Sequence, residues 1–138
     1  MNRDHQGRQN KPLENLKQEL SKIEISQLTE KEIFHPEGYA KRVVEKINIT
    51  AVQLRKVFQE FKAIVDDLKN GDKIEKAKAK LYKLYAILEY QAKRGVLDEN
   101  FKEIMFMLFD KVEKSGSKEA FEKVYDLLMA MVAYSKKS

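Results

Sequence analysis

The sequence predicts an all-α protein, a compact bundle of about five to six helices. Three observations carry that expectation. Apolar residues recur at helical spacing along most of the chain. Glycine and proline are scarce, five and two in 138 residues, so little interrupts a long helix. No segment alternates apolar and polar residues with the period of a strand.

The elements follow in order. Met1 to Lys11 is polar and aperiodic, and residues 1–11 are expected to form a disordered tail. Residues 12–138 are expected to form a single helical-bundle domain. Pro12 is suited to open a helix, and Leu13, Leu16, Leu20 and Ile23 carry it to about residue 24. Ile25 to Phe34 reads as a loop or a second short helix. Pro36 restarts the chain, and Tyr39, Val43, Val44 and Ile47 give a short amphipathic helix. Thr50 and Gln53 make a capping-box pattern before a helix to about Asn70, with Gly71 as its stop. Its apolar stripe is Leu54, Val57, Phe58, Phe61, Val65 and Leu68. Asp72 and Glu75 repeat the capping pattern for a helix running to Arg94 and Gly95. That helix carries Ile74, Ala77, Leu81, Leu84, Tyr85 and Leu88 on its core side. Asp98 and Ser117 start the last two helices, which end near Gly116 and Ser135.

Those last two helices are apolar on more than one face. Ile104 to Phe109 is apolar all round, and Leu127 to Ala133 nearly so. Such a helix needs cover on several sides, either inside its own bundle or from a neighbouring chain. In so small a domain the second source is the one expected, so the pattern predicts self-association.

Several chemistries find no residues to carry them. The chain has no cysteine, which removes disulfides, thiolate metal sites and a cysteine nucleophile. His5 and His35 stand in no metal-ligand spacing. Asp66 and Asp67 are adjacent in a helix, about 100° apart, and do not converge on one ion. There is no glycine-rich phosphate loop and no nucleophile–histidine–acid pattern. Neither catalysis nor a cofactor is expected. No leader segment is visible, and the longest uncharged run, Leu127 to Ser135, is too short to span a bilayer. The expectation is a soluble, cytoplasmic protein with no membrane partner.

The net charge is +5 and is unevenly placed. Residues 1–34 carry six basic and six acidic groups, residues 35–95 carry fourteen and eight, and residues 96–138 carry seven and eight. The excess sits in the middle, where an anionic partner would meet it. In the helix from Lys73 to Arg94, Lys73, Lys76, Lys80 and Lys83 fall within about 80° of one another, and the same line reaches Arg94. This ridge, roughly 30 Å long at 1.5 Å per residue, could follow several phosphates. It could equally be a solvated flank. A second cluster, Gln53, Arg55 and Lys56, opens the preceding helix. Cations there oppose the helix macrodipole at a cost of about a few tenths of a kcal/mol. Exposed N–H groups, an Arg and a Lys together would suit a phosphate.

At this cluster the chain resembles a known family. Ile49 to Phe58 (ITAVQLRKVF) is similar to a segment of the small subunit of type III-A CRISPR effector complexes. Leu84 to Arg94 (LYAILEYQAKR) resembles that family's aromatic-rich helix ending in a basic pair. Phe121 to Lys136 (FEKVYDLLMAMVAYSK) resembles its C-terminal helix. The resemblance covers roughly residues 36–136 in order; beyond Lys136 this chain ends without the family's further aromatic residues. It implies a helical bundle that stacks as a filament of copies, assembles with the other effector subunits and contacts the guide RNA and target RNA through phosphates. Carried over by position, Gln53, Arg55, Lys56, Lys93, Arg94 and Lys136 would contact RNA, with Lys76, Lys80 and Lys83 of the ridge beside them. The alternative from another class is a helical protein–protein adaptor that does not bind RNA.

Overall fold

In the computed structural model, which describes the backbone of residues 2–135 and the side chains of residues 11–135, every regular element is helical. The order is α1 (Asn2–Lys22), a 3₁₀ turn (Ile25–Gln27), α2 (Glu30–Phe34), α3 (Tyr39–Lys46), α4 (Ala51–Lys69), α5 (Ile74–Lys93), α6 (Glu99–Ser115) and α7 (Lys118–Tyr134). Among the described residues there is no strand. Six of these α-helices have eight residues or more, and α2 is a single turn of five. The all-α bundle is therefore the observed fold. Helix α1 takes in all but the first of the residues read as a tail.

The boundaries follow from capping chemistry. Thr50 Oγ1 accepts the Gln53 N–H at 3.1 Å and Gln53 Oε1 accepts the Thr50 N–H at 3.1 Å, which is the expected box. Asp98 and Ser117 accept from Phe101 and Ala120 in the same way. Gly71, Gly95 and Gly116 end α4, α5 and α6 with positive φ, as a left-handed stop requires. The Asp72–Glu75 box does not form. Lys73 is the N-cap of α5, and the Asp72 carboxylate instead pairs with Lys80 at 2.8 Å and Lys76 at 3.7 Å. An unpredicted box, Thr29 with Glu32, starts α2. Between α2 and α3 the chain turns at Gly38, where a Cβ would collide with the main-chain carbonyl of Glu32 and come within 3.0 Å of that of His35.

Helix α7 is the central element, packed by α2, α3, α4, α6 and the 3₁₀ turn. Phe61 of α4 sits between Phe109 and Phe121, with ring centroids 5.6 and 6.1 Å away, at the middle of the core. The N-terminal quarter supplies the remaining cover. Leu13, Leu16 and Leu20 of α1, with Ile25, Leu28 and Ile33, are all buried, α1 lying on α6 and α3. Lysines of α6 and α7 fasten this segment. Lys111 Nζ donates to the carbonyls of Ser21 and Ile23 at 2.8 Å each, and Lys123 Nζ to that of Leu28 at 2.6 Å. Lys17 Nζ reaches Glu103 at 2.6 Å and Asn100 at 2.9 Å.

This cover corrects the reason given for self-association. Ile104, Met105, Leu108 and Phe109 are fully buried within the chain, and Phe106 and Met107 pack against the core. On α7, Leu127, Leu128, Ala130 and Met131 are buried too, and only Met129 is an exposed large apolar side chain there. Helices that are apolar all round have their partners inside one chain, because residues 12–34 fold back over them.

Candidate nucleic-acid interface

Helices α4 and α5 pack side by side, joined by the turn at Gly71, so the start of α4 lies beside the end of α5. The junction is tied by Gln53, whose Nε2 donates to the main-chain carbonyl oxygen of Val96. Val96 is itself placed by its N–H bonding to the Gln91 carbonyl at 3.0 Å, in a turn that Gly95 permits with φ near +75°. Lys56, Val52, Gln53, Gln91, Val96 and Leu97 then enclose a cleft of about 170 Å³.

The predicted residues fall into three groups. Gln53 is engaged within the chain by both ends of its amide, which leaves one amide hydrogen to offer outward. Lys80 is also engaged: its Nζ lies 2.7 Å from Asp67 and 2.8 Å from Asp72. Those bonds push its pKa up and hold the Asp72 carboxyl below the usual range. Lys76, at 3.7 Å from Asp72, is loosely paired. Arg55, Lys56, Lys83 and Lys93 are exposed and have no ion-pair partner among the described residues. Arg94 is exposed with its guanidinium 5.5 Å from the centre of the Tyr90 ring. Lys136 lies outside the described residues.

Lys56, Lys93 and Arg94 are brought to one end of the α4–α5 pair. Lys76 and Lys80 lie toward the other, roughly 27 and 21 Å from Arg94 along α5 at 1.5 Å per residue. Arg55 leaves α4 about 100° from Lys56 and shares its flank with Lys62, away from the cleft. The positive surface therefore concentrates from Lys83 to Arg94 and across to Lys56, while the Lys80 end is neutralised by aspartates. Along the α4–α5 groove, Glu60 and Asp67 face Lys80, Lys83 and Ile87.

Sequence reasoning missed the apolar part of this surface. Val52, Ile87, Tyr90 and Val96 are exposed, Val52 and Tyr90 by 63% and 62%. Ile87 and Tyr90 share one arc of about 60° with Lys76, Lys83 and Arg94, so the helical wheel that revealed the lysines could have revealed them. Among the described residues no group of three or more histidines and carboxylates is placed to hold a metal ion, and no helix is long and apolar enough to cross a membrane.

No curated protein and no solved structure matches the chain. A family model described as Csm2 Type III-A matches residues 30–138, from the start of α2 through α7 and beyond, leaving out α1 and the 3₁₀ turn. That match takes in the Thr50 cap and the whole α4–α5 pair, and on it the chain belongs to the Csm2 type III-A family.

Proposed function

We propose that this chain is a non-catalytic structural subunit of a type III-A CRISPR effector and that it holds RNA by its phosphates along the α4–α5 pair. Family membership supports the first part. One observation carries the second: Lys83 and Arg94 share one face of α5, with Lys93 on the adjoining flank and Lys56 at the neighbouring start of α4, while the carboxylates nearest the ridge's far end are bound to Lys76 and Lys80. Such a surface gives affinity that is independent of sequence and weakens as salt rises. Gln53 serves it mainly by fixing the turn that sets Lys56 beside Val96. The proposal includes guide RNA and target RNA as the nucleic acids met, neighbouring effector subunits as partners, and the cytoplasm as the place of work. Stacking of copies beside the guide-binding backbone belongs to it as well, and rests on the family alone.

The adaptor reading fits less well. An adaptor would use the apolar faces of α6 and α7, and those faces are covered. The apolar side chains that are exposed, Val52, Tyr90 and Val96, are bordered by Lys56 and Arg94, which favours an anionic partner. The test is filter binding of RNA at two salt concentrations, with Arg55→Glu/Lys56→Glu and Lys93→Glu/Arg94→Glu proteins whose circular dichroism matches the wild type. The reversed proteins should bind about tenfold or more weakly, with a shallower salt dependence. Binding as tight as wild type in both would end the phosphate reading.

A further inference from the structure

Among the exposed surfaces, the apolar strip within the ridge is the one that a duplex backbone does not explain. We infer that the Tyr90 face of α5 is a stacking platform for unpaired bases, so that this subunit engages single-stranded RNA by its bases as well as by its phosphates. The inference rests on the RNA-binding function proposed above and names the form of RNA that the same surface prefers.

Tyr90 is 62% exposed near the end of α5, one turn before Arg94. The Arg94 guanidinium lies over its ring, at 5.5 Å from the centroid. Ile87, one turn earlier on the same arc, is also exposed, and Lys83 precedes it. Val52 and Val96 stand exposed across the cleft that Lys56 shares. A phosphate track has no use for this area, since phosphates bind cations and N–H donors and gain nothing from apolar rings. Bases hidden inside a duplex cannot reach a side chain on a convex helix, whereas unpaired bases present faces that stack on tyrosine and on arginine planes. The cations on either side, Lys83, Lys93, Arg94 and Lys56, would meet the phosphates between such bases. Lys80 is held by Asp67 and Asp72 and offers a strand no free cation, and Glu60 lines the same groove with Lys80, Lys83 and Ile87, so the strand is favoured toward the Arg94 end. Charge complementarity thus selects an anionic occupant, and the exposed ring selects one with open aromatic faces.

The experiment uses the full chain, a short single-stranded RNA carrying one fluorescent adenine analogue, and the same strand annealed to its complement. Wild-type protein should bind the single strand more tightly than the duplex and quench the analogue. Tyr90→Ala should lose about tenfold in affinity for the single strand with little change on the duplex, while Tyr90→Phe, which keeps the ring, should bind and quench as wild type does. Unchanged circular dichroism in Tyr90→Ala would separate this loss from unfolding. If wild type binds both RNAs without quenching, or Tyr90→Ala equals wild type on the single strand, the stacking platform is overturned and the phosphate surface stands. If wild type binds neither RNA at low salt, the RNA-binding function falls and takes the platform with it.

Discussion

Gln53 donates through Nε2 to the carbonyl oxygen of Val96 while its Oε1 receives the backbone N–H of Thr50. A single side chain thus completes the helix cap of α4 and fastens that cap to the turn after α5. Gln53→Ala removes both bonds and should cost about 1–2 kcal/mol, read as a lower urea midpoint with unchanged slope. Gln53→Glu separates the two roles. A glutamate at this position still caps, but it has no donor for Val96 and faces a carbonyl oxygen with negative charge. Its midpoint should fall between those of wild type and the alanine variant. A Gln53→Glu protein as stable as wild type would show that the tether to Val96 contributes nothing.

Lys80 and Lys83 occupy the same ridge and should behave differently toward RNA. Lys80 lies between Asp67 and Asp72, at 2.7 and 2.8 Å, and a phosphate would have to displace both. Lys83 is exposed and has no ion-pair partner among the described residues. Lys83→Ala should weaken RNA binding and lower the salt slope by about one ion. Lys80→Ala should leave the slope unchanged, because no phosphate contact is lost. Equal slope changes in the two variants would mean that Lys80 exchanges its aspartates for RNA.

The helices were legible because their signals are local. Thr50, Asp98 and Ser117 mark their own caps, and Gly71, Gly95 and Gly116 mark the ends. Asp72 misled because a short acidic side chain beside lysines at 76 and 80 has two competing uses, and the ion pairs prevailed over the cap. The same competition hid the difference between Lys80 and Lys83, since Asp67 reaches Lys80 from another helix. What covers α6 and α7 was not legible at all. A helix apolar on every face announces that it needs partners, but whether they come from Leu16 and Leu20 or from another chain depends on where α1 folds back, a long-range relation without a local mark.

The cover by residues 12–34 yields its own prediction. Leu16 is fully buried on the α1 side of the core, and Leu16→Ala should cost about 2–5 kcal/mol. Removal of residues 1–28 should uncover α6 and release Lys111 and Lys123 from their carbonyl partners. The shortened chain should then melt at a lower temperature, bind an apolar dye and self-associate more than the full chain in light scattering. A shortened protein matching the full chain in all three measurements would mean that the segment rests on the bundle without supporting it.

Glu19 and Arg42 link α1 to α3, with Arg42 Nη1 and Nη2 donating to the two carboxylate oxygens at 3.2 and 2.5 Å. The hydrogen-bonded guanidinium holds the Glu19 carboxyl below the usual glutamate range, against the opposing effect of partial burial. A carboxyl with a lowered folded pKa binds fewer protons folded than unfolded. Its contribution is present above the unfolded glutamate value of about 4.3, and is lost as pH falls through the lower folded value. The Glu19 side chain is 46% exposed, so solvent screening limits this contribution to under about 1 kcal/mol. Glu19→Gln should therefore be slightly less stable than wild type at neutral pH, and the urea midpoints of the two should converge on acidification. A gap that stays constant down to acid pH would assign the effect to packing of the side chain and not to its charge.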